Sequence, residues 1–184
     1  MGKTYDILNP ELQAWLGHQK MFFVATAPLA ASGHVNCSPK GGDTFRILGE
    51  REVAYLDLTG SGIETIAHLQ ENRRIVLMFC AFEGAPKIVR LHGQGEVVYP
   101  ADPGYAALIA HFPAYTGARA VIRVTVTRIS DSCGYAVPLM TFMEHRTVLD
   151  QWADRKTPAG LHEYRGQKNR LSIDGYAGYR DIGS

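Results

Sequence analysis

The run Arg74-Ile75-Val76-Leu77-Met78-Phe79-Cys80-Ala81-Phe82 constrains the fold more than any other stretch of the chain. Its apolar centre, Ile75 to Phe79, is far shorter than the roughly 20 residues that cross a bilayer, so it reads as a strand buried inside a domain. Gly84-Ala85-Pro86 stops it in a turn. The chain resumes from Lys87 to Tyr99 with alternating apolar and polar residues, the mark of a second, longer strand. Gly93 and Gly95 inside that run predict a bend or bulge. Arg119 to Ile129 alternates again, with Val121, Arg123, Thr125 and Thr127 set against Ile122, Val124 and Val126. Met21 to Ala27, the segment from Val35, Phe45 to Leu48 and Val53 to Leu58 read as further strands.

Helices fall between and beside these strands. Asn9-Pro10 opens one that carries Leu12, Trp15 and Leu16 and ends near Gly17. Ile63, Ile66, Ala67 and Leu69 space a second from Gly62 to about Glu71. Asp102-Pro103 predicts the cap of a third, bearing Tyr105, Leu108, Ile109 and Phe112. Six or so strands with so few helices argue for a mainly β (α+β) antiparallel barrel with helices at its ends. After Ser130 the pattern loosens. Cys133 to Leu139 reads as a loop, Val148 to Arg155 as a helix around Leu149 and Trp152, and the Gly- and Tyr-rich tail from Thr157 as irregular chain that is mobile or pinned against a partner or ligand. The organisation expected is a barrel over residues 1–130 and an extension over 131–184 that packs on the barrel or on a dimer partner.

The chemistry concentrates between His34 and Thr65. Asn36, Ser38 and Lys40 lie at alternate positions of one strand and so share a face. The strand ending at Asp57 runs into Thr59, Gly60, Ser61 and Gly62, directly before the helix that contains Thr65. Glycines there let backbone amides approach an anion, and a helix start adds partial positive charge. A lysine, several hydroxyls and a helix N-terminus within reach of one another suit a phosphate monoester; two ordinary turns beside a surface lysine are the plain alternative.

Charge and cysteine usage exclude other classes. With 19 basic and 18 acidic residues the formal net charge is +1, no footprint for nucleic acid or an anionic membrane surface. Met-Gly-Lys-Thr-Tyr-Asp lacks a signal-peptide core, and Asp6 stands where a myristoylation signal has Ser or Thr. Cys37, Cys80 and Cys133 form no CxxC pair, which points to a reduced, cytoplasmic protein. The seven histidines show no HExxH or other metal-ligand spacing, so no metal is expected. Gly60-Ser61-Gly62 is not a nucleophile elbow, and Gly93-Gln94-Gly95 lies inside a strand and is no dinucleotide fingerprint. No protein-borne acid–base set is evident.

The order of these features resembles the pyridoxamine 5′-phosphate oxidase-like family of flavin-binding split barrels. The resemblance is carried by four stretches in order: Ser38-Pro39-Lys40-Gly41; Tyr55-Leu56-Asp57-Leu58-Thr59-Gly60-Ser61-Gly62; Ala67 to Phe79 with Asn72-Arg73-Arg74 before the apolar strand; and Val89-Arg90-Leu91-His92-Gly93-Gln94-Gly95-Glu96-Val97. It covers roughly residues 10–130. It implies a six-stranded antiparallel split β-barrel with flanking helices, a homodimer, and FMN in the groove between subunits. Lys40 falls at the family's phosphate-binding lysine and Thr59 at a hydroxyl near the phosphate. The candidate FMN contacts are Asn36, Ser38, Lys40, Asp57, Thr59, Ser61, Gly62, Thr65, Arg90 and Trp152; Arg90 reads equally as an exposed strand residue or as a contact to polar edges of the flavin, and Trp152 as simple packing ahead of a cover for the ring. For the tail at Ser172-Ile173-Asp174-Gly175, crossing onto the other subunit's site is the minority alternative to staying on its own chain.

The resemblance is to the family and not to the vitamin B6 oxidase itself. Where those oxidases carry an arginine-lysine pair just inside the helix, this chain has Glu64 and Thr65, and Ile88 stands in place of their glutamine. The expected function is an FMN-dependent oxidoreductase acting on a small organic molecule, with a nicotinamide or the substrate as electron donor, because a flavin brings its own redox chemistry and asks the protein for positioning. A flavin-binding or storage module without turnover, a deazaflavin-dependent reductase and a haem-binding relative are the alternatives of this fold; no basic cluster for a deazaflavin polyglutamate tail is present.

Overall fold

The computed structural model describes residues 2–180. Its centre is one antiparallel sheet. The strands are β1 (Thr4–Tyr5), β2 (Met21–Thr26), β3 (Asn36–Gly41), β4 (Phe45–Gly49), β5 (Glu52–Leu58), β6 (Arg74–Cys80), β7 (Ile88–Val98) and β8 (Ala118–Ser132). They run in the order β3-β2-β6-β7-β8-β5-β4, with the two-residue β1 pairing onto β8. The path has seven strands where the sequence suggests six. The fold is the expected split barrel with flanking helices.

The sheet curls because its faces differ. Along β2, Phe22, Val24 and Thr26 are buried while the residues between them are half-exposed. β6 repeats the alternation with Ile75, Leu77 and Phe79 inside. The curl brings Phe45 of edge strand β4 against Phe22 and Phe79, at ring-centroid distances of 5.5 and 4.9 Å. Tyr55 closes the cluster at 5.7 Å from Phe22. Burying an aromatic side chain of this size is worth about 1.5–3 kcal/mol, so this cluster ties opposite ends of the sheet across the barrel.

β8 is the spine. It pairs with β5 on one side and with β7 on the other. The expected bulge is present: the β7–β8 register shifts between His92 and Gly93. A Cβ at Gly93 would lie 2.3 Å from the Thr125 carbonyl oxygen, so only glycine fits the approach of the two backbones.

α1 (Pro10–His18) starts as the sequence predicts, with Asn9 Oδ1 accepting from the Leu12 amide at 2.9 Å and proline at the first turn. α2 (Glu64–Asn72) buries Ile66 and Leu69 against the sheet. The expected third helix is shorter than its apolar spacing suggests. α3 spans only Tyr105–Ile109 and is preceded by Gly104, while Asp102 accepts the Tyr99 amide instead of capping a helix.

The extension departs most from expectation. α4 (Val148–Asp154) is the predicted helix, but the tail beyond Thr157 is not irregular throughout. Thr157 caps α5 (Pro158–Lys168), accepting from the Gly160 amide at 3.1 Å, with Pro158 in the first turn. Thr-Pro is a recognised start signal, and its glycine content hid the helix. No helix among the described residues is long and apolar enough to cross a membrane.

Candidate functional site

Edge strand β3 presents the expected face. Asn36, Ser38 and Lys40 pair in register with Thr26, Val24 and Phe22, all buried, so their side chains turn toward the barrel interior. Cys37 and Pro39 are exposed on the other side. Pro39 is compatible with this strand because β3 is an edge and one of its backbone sides needs no donor.

A hydrogen-bonded chain runs inward from that face. Ser38 Oγ donates to Asn36 Oδ1 at 3.1 Å, and Asn36 Nδ2 donates to Thr65 Oγ1 at 2.9 Å. Asn36 also lies 3.5 Å from Thr26 Oγ1, which is 3.0 Å from His68 Nδ1. His68 is 1% exposed, and its Nε2 has no hydrogen-bond partner among the described residues. Burial pulls the His68 imidazole below its ordinary pKa, against the opposing pull of Asp174, Glu64 and Glu71, so it is neutral at physiological pH.

Beside this chain lies a buried charge cluster. Asp57 is 1% exposed; one carboxylate oxygen takes Arg119 Nε at 2.7 Å and the other stands 3.7 Å from Lys40 Nζ. Burial pushes the Asp57 carboxyl up, but Arg119 and Lys40 outweigh it and hold the group below its ordinary value. Arg119 also donates to the Gly62 carbonyl at 3.1 Å, tying β8 to the turn before α2. The Tyr55 ring lies 6.0 Å from Lys40 Nζ, and its buried hydroxyl has no partner among the described residues. Burial first, then the Asp57 carboxylate, raise the Tyr55 phenol well above its usual value, so it stays un-ionised.

The turn after β5 is fastened from a direction that the sequence did not reveal. Thr59 is fully buried, and its hydroxyl donates to the Gly117 carbonyl at 2.9 Å while accepting from Arg165 Nε of α5 at 2.9 Å. Its one proton is therefore committed, and Thr59 shapes the turn rather than facing the cleft. Arg165 donates also to the Ala118 carbonyl at 3.0 Å, and Asn169 Nδ2 donates to the Gly60 carbonyl at 2.9 Å. The only local signal for Arg165 and Asn169 was the Thr-Pro helix start, because both act across more than a hundred residues of chain.

These elements enclose a cleft of about 450 Å³ lined by Asn36 and Cys37 of β3, Ser61 and Gly62 of the turn, Glu64 of α2, His34, Val35 and Ile173. Ser61 is exposed at its rim. Glu64 occupies the start of α2: Oε2 accepts the Ile63 amide at 3.0 Å and Oε1 accepts the Ile173 amide at 3.3 Å. The tail thus lies on its own chain's cleft; crossing to another subunit is not needed to bring Ser172-Ile173-Asp174-Gly175 to a site.

Of the ten residues singled out in the sequence, Asn36, Ser61 and Gly62 line this cleft; Ser38 and Thr65 bond to Asn36 behind it, Lys40 and Asp57 form the adjoining charge cluster, and Thr59 is turned into the fold. Arg90 and Trp152 do not join them in this chain. Arg90 pairs across β6 with Met78, one residue out of step with the buried Leu77, and donates to Ser132 Oγ at 2.9 Å. Trp152 packs edge-on against Tyr164, with ring centroids 4.8 Å apart.

The cluster fits a phosphate group. Lys40 and Arg119 share the single carboxylate of Asp57, which leaves that cluster one net positive charge, while Glu64 sets a carboxylate in the neighbouring cleft; Lys40, with its side chain 24% exposed, is the cation that reaches solvent. Ser61 and the glycine turn add donors of the right kind. Among the described residues no group of three or more His, Cys, Asp or Glu is arranged to hold a metal ion.

Comparison with known proteins gives the same fold. The family model described as pyridoxamine 5′-phosphate oxidase matches residues 8–133. A pyridoxamine 5′-phosphate oxidase family protein of Aspergillus flavus, ustO, is 38% identical over 191 residues, covering 95% of this chain and 76% of its own. Among solved structures, HupZ of Group A Streptococcus (the H111A variant) aligns over 68% of this chain and 99% of its own, with a TM-score of 0.54 and 23% identity. A pyridoxamine 5′-phosphate oxidase-like protein of Lactobacillus delbrueckii aligns over 69% and 98%, with a TM-score of 0.53 and 17% identity. An FAD-binding protein of Mesorhizobium loti aligns over 71% and 96%, with a TM-score of 0.50 and 14% identity.

Proposed function

The chain belongs to the pyridoxamine 5′-phosphate oxidase family, and on that premise we propose that it is an FMN-binding flavoprotein, working as an FMN-dependent oxidoreductase on a small organic substrate. One observation carries the reading: Lys40, the cation of the Asp57 cluster that reaches solvent, and the Ser61-Gly62 turn, distant in sequence, are tied together by Arg119, which bonds both Asp57 and the Gly62 carbonyl. Lys40 binds the phosphate as a point charge, and Ser61 donates to its oxygens. Arg119 and Asp57 position Lys40, while Arg165 and Asn169 fix the turn. A bound flavin supplies the electron-carrying ring, and the protein supplies placement and exclusion of water. Glu64 stands at the start of α2, where the vitamin B6 oxidases carry cations, which leaves the phosphate contact to Lys40 and Ser61.

A homodimer completes the reading. Tyr135, Leu139, Met140 and Met143 are exposed at 83, 78, 54 and 88%. Large apolar side chains this exposed within one short segment, residues 135–143, are what an interaction surface would offer, and a second subunit there would cover them. Light scattering is expected to give twice the 20.3 kDa chain mass; a monomer would count against it. The three unpaired cysteines suit the cytoplasm.

The test is an absorption spectrum of the purified protein, with the released cofactor identified by mass and FMN, FAD, deazaflavin and haem titrated separately. Flavin bands and FMN on release are expected, followed by bleaching with a nicotinamide donor. Failure to take up FMN would overturn the reading. FMN uptake without turnover on any nicotinamide or acceptor would reduce it to a flavin-carrying module.

A further inference from the structure

The last described stretch of the chain forms a small hairpin over the cleft. Leu171 bridges to Ala177, the Ser172 amide donates to the Tyr176 carbonyl at 2.9 Å, and the Tyr176 amide donates to Ser172 Oγ at 3.1 Å. Its base is rigid. The Gly178 amide donates to the Arg170 carbonyl at 2.9 Å, its carbonyl accepts from Gln70 at 2.7 Å, and the Tyr179 amide donates to the Asn169 carbonyl at 2.7 Å. A Cβ at Gly178 would lie 2.5 Å from both the Asn169 carbonyl oxygen and the Ile63 side chain, so the base is seated as closely as backbone allows.

The tip is fastened differently, by two acidic side chains. Asp174 accepts the His34 amide at 2.8 Å through one oxygen and meets His34 Nδ1 at 2.6 Å through the other. Glu64 accepts the Ile173 amide at 3.3 Å. The His34 side chain is 70% exposed, so water competes for the fastening. Between these attachments Leu171 and Ile173 stand exposed at 56% and 70%, and Ile173 lines the cleft. Beneath the hairpin, Tyr176 meets the His68 ring edge-on at 6.4 Å, and His68 Nε2 is buried without a partner. An unpaired buried polar atom penalises the closed arrangement, and opening would hydrate it.

A rigid base, a solvent-contested tip and uncovered apolar side chains at the mouth are the parts of a hinged wall. We propose that residues 171–177 are the movable wall of the cleft: the hairpin swings on the fixed base formed by Asn169–Arg170 and Gly178–Tyr179, is latched by Asp174 to His34, and lays Ile173 on the apolar face of the bound ligand. The identity of that ligand as a flavin rests on the function proposed above; the hinge does not.

Amide hydrogen exchange on the full chain tests it, in wild type, Asp174→Ala and His34→Ala, each with and without FMN. Without ligand, Asp174→Ala is expected to speed exchange at Ile173 and Tyr176 several-fold while Gly178 and Tyr179 keep their wild-type rates, and His34→Ala is expected to do the same. FMN is expected to slow exchange at Ile173 and Tyr176, and Asp174→Ala to release FMN several-fold faster than wild type. Exchange that changes uniformly from 172 to 179, or does not change, overturns the hinge. FMN that binds but leaves the exchange of the hairpin and its release from Asp174→Ala unaltered overturns the wall. Absence of FMN binding overturns the flavin reading and the ligand contact with it, and the ligand-free rates then decide the hinge alone.

Discussion

Replacing Lys40 by alanine separates binding from folding in this site. The side chain is partly solvent-exposed, and its Nζ lies 3.7 Å from Asp57, a loose pair; the carboxylate keeps its closer partner Arg119 at 2.7 Å after the change. The loss in stability is therefore that of a weak, partly solvated pair, under about 1 kcal/mol. For a chain of this size that lowers Tm by no more than about 4 °C. The ligand side is different. Lys40 and Arg119 set two positive charges against the one negative charge of Asp57, so the cluster carries one net positive charge, and the substitution removes it. A charge-assisted hydrogen bond to a phosphate is worth about 1.5–3 kcal/mol. At 1.4 kcal/mol per tenfold, Kd for FMN should rise about 10- to 150-fold. Quenching of free FMN fluorescence, titrated at fixed low salt, measures this directly. Lys40→Met keeps the aliphatic stem near the Tyr55 ring and should lose as much, which locates the effect in the ammonium group. An Ala variant that still folds and binds FMN within twofold of wild type would refute the assignment of Lys40 to the phosphate.

Asp57→Ala is expected to cost about 3–5 kcal/mol, read by urea unfolding, because it leaves Arg119, 3% exposed, as an uncompensated buried cation. Since Asp57 ionises below its ordinary value, its contribution is fully present above about pH 4, the unfolded aspartate range, and is lost as pH falls through the lower folded value. The stability gap between wild type and Asp57→Asn should close along the same acid limb and stay constant at neutral pH. Tyr55→Phe removes a buried hydroxyl without a partner, so thermal unfolding should show no loss and a gain of up to about 1 kcal/mol. Gly93→Ala should destabilise by more than about 1 kcal/mol in the same assay, because the new methyl meets the Thr125 carbonyl in the β7–β8 bulge.

What the sequence determined is what local periodicity can encode. The apolar run at Ile75–Phe79, the alternation along β7 and β8, the glycine bulge and the Asn-Pro cap each depend on neighbours a few residues away. They were legible because side-chain direction repeats every two residues in a strand and Asn and Pro have fixed roles at helix starts. The face shared by Asn36, Ser38 and Lys40 was legible for the same reason. Tertiary structure decided the partners. Asp57 and Arg119 are 62 residues apart, and Arg165 reaches Thr59 across 106, so their pairing follows from β5 lying beside β8 and α5 folding back onto the turn. It also decided that the Thr59 hydroxyl is spent inside the fold and that the tail hairpin lies on its own cleft. No spacing in a linear chain carries that information, because a buried charge takes whichever opposite charge strand order places beside it, and strand order is settled only when the whole sheet closes.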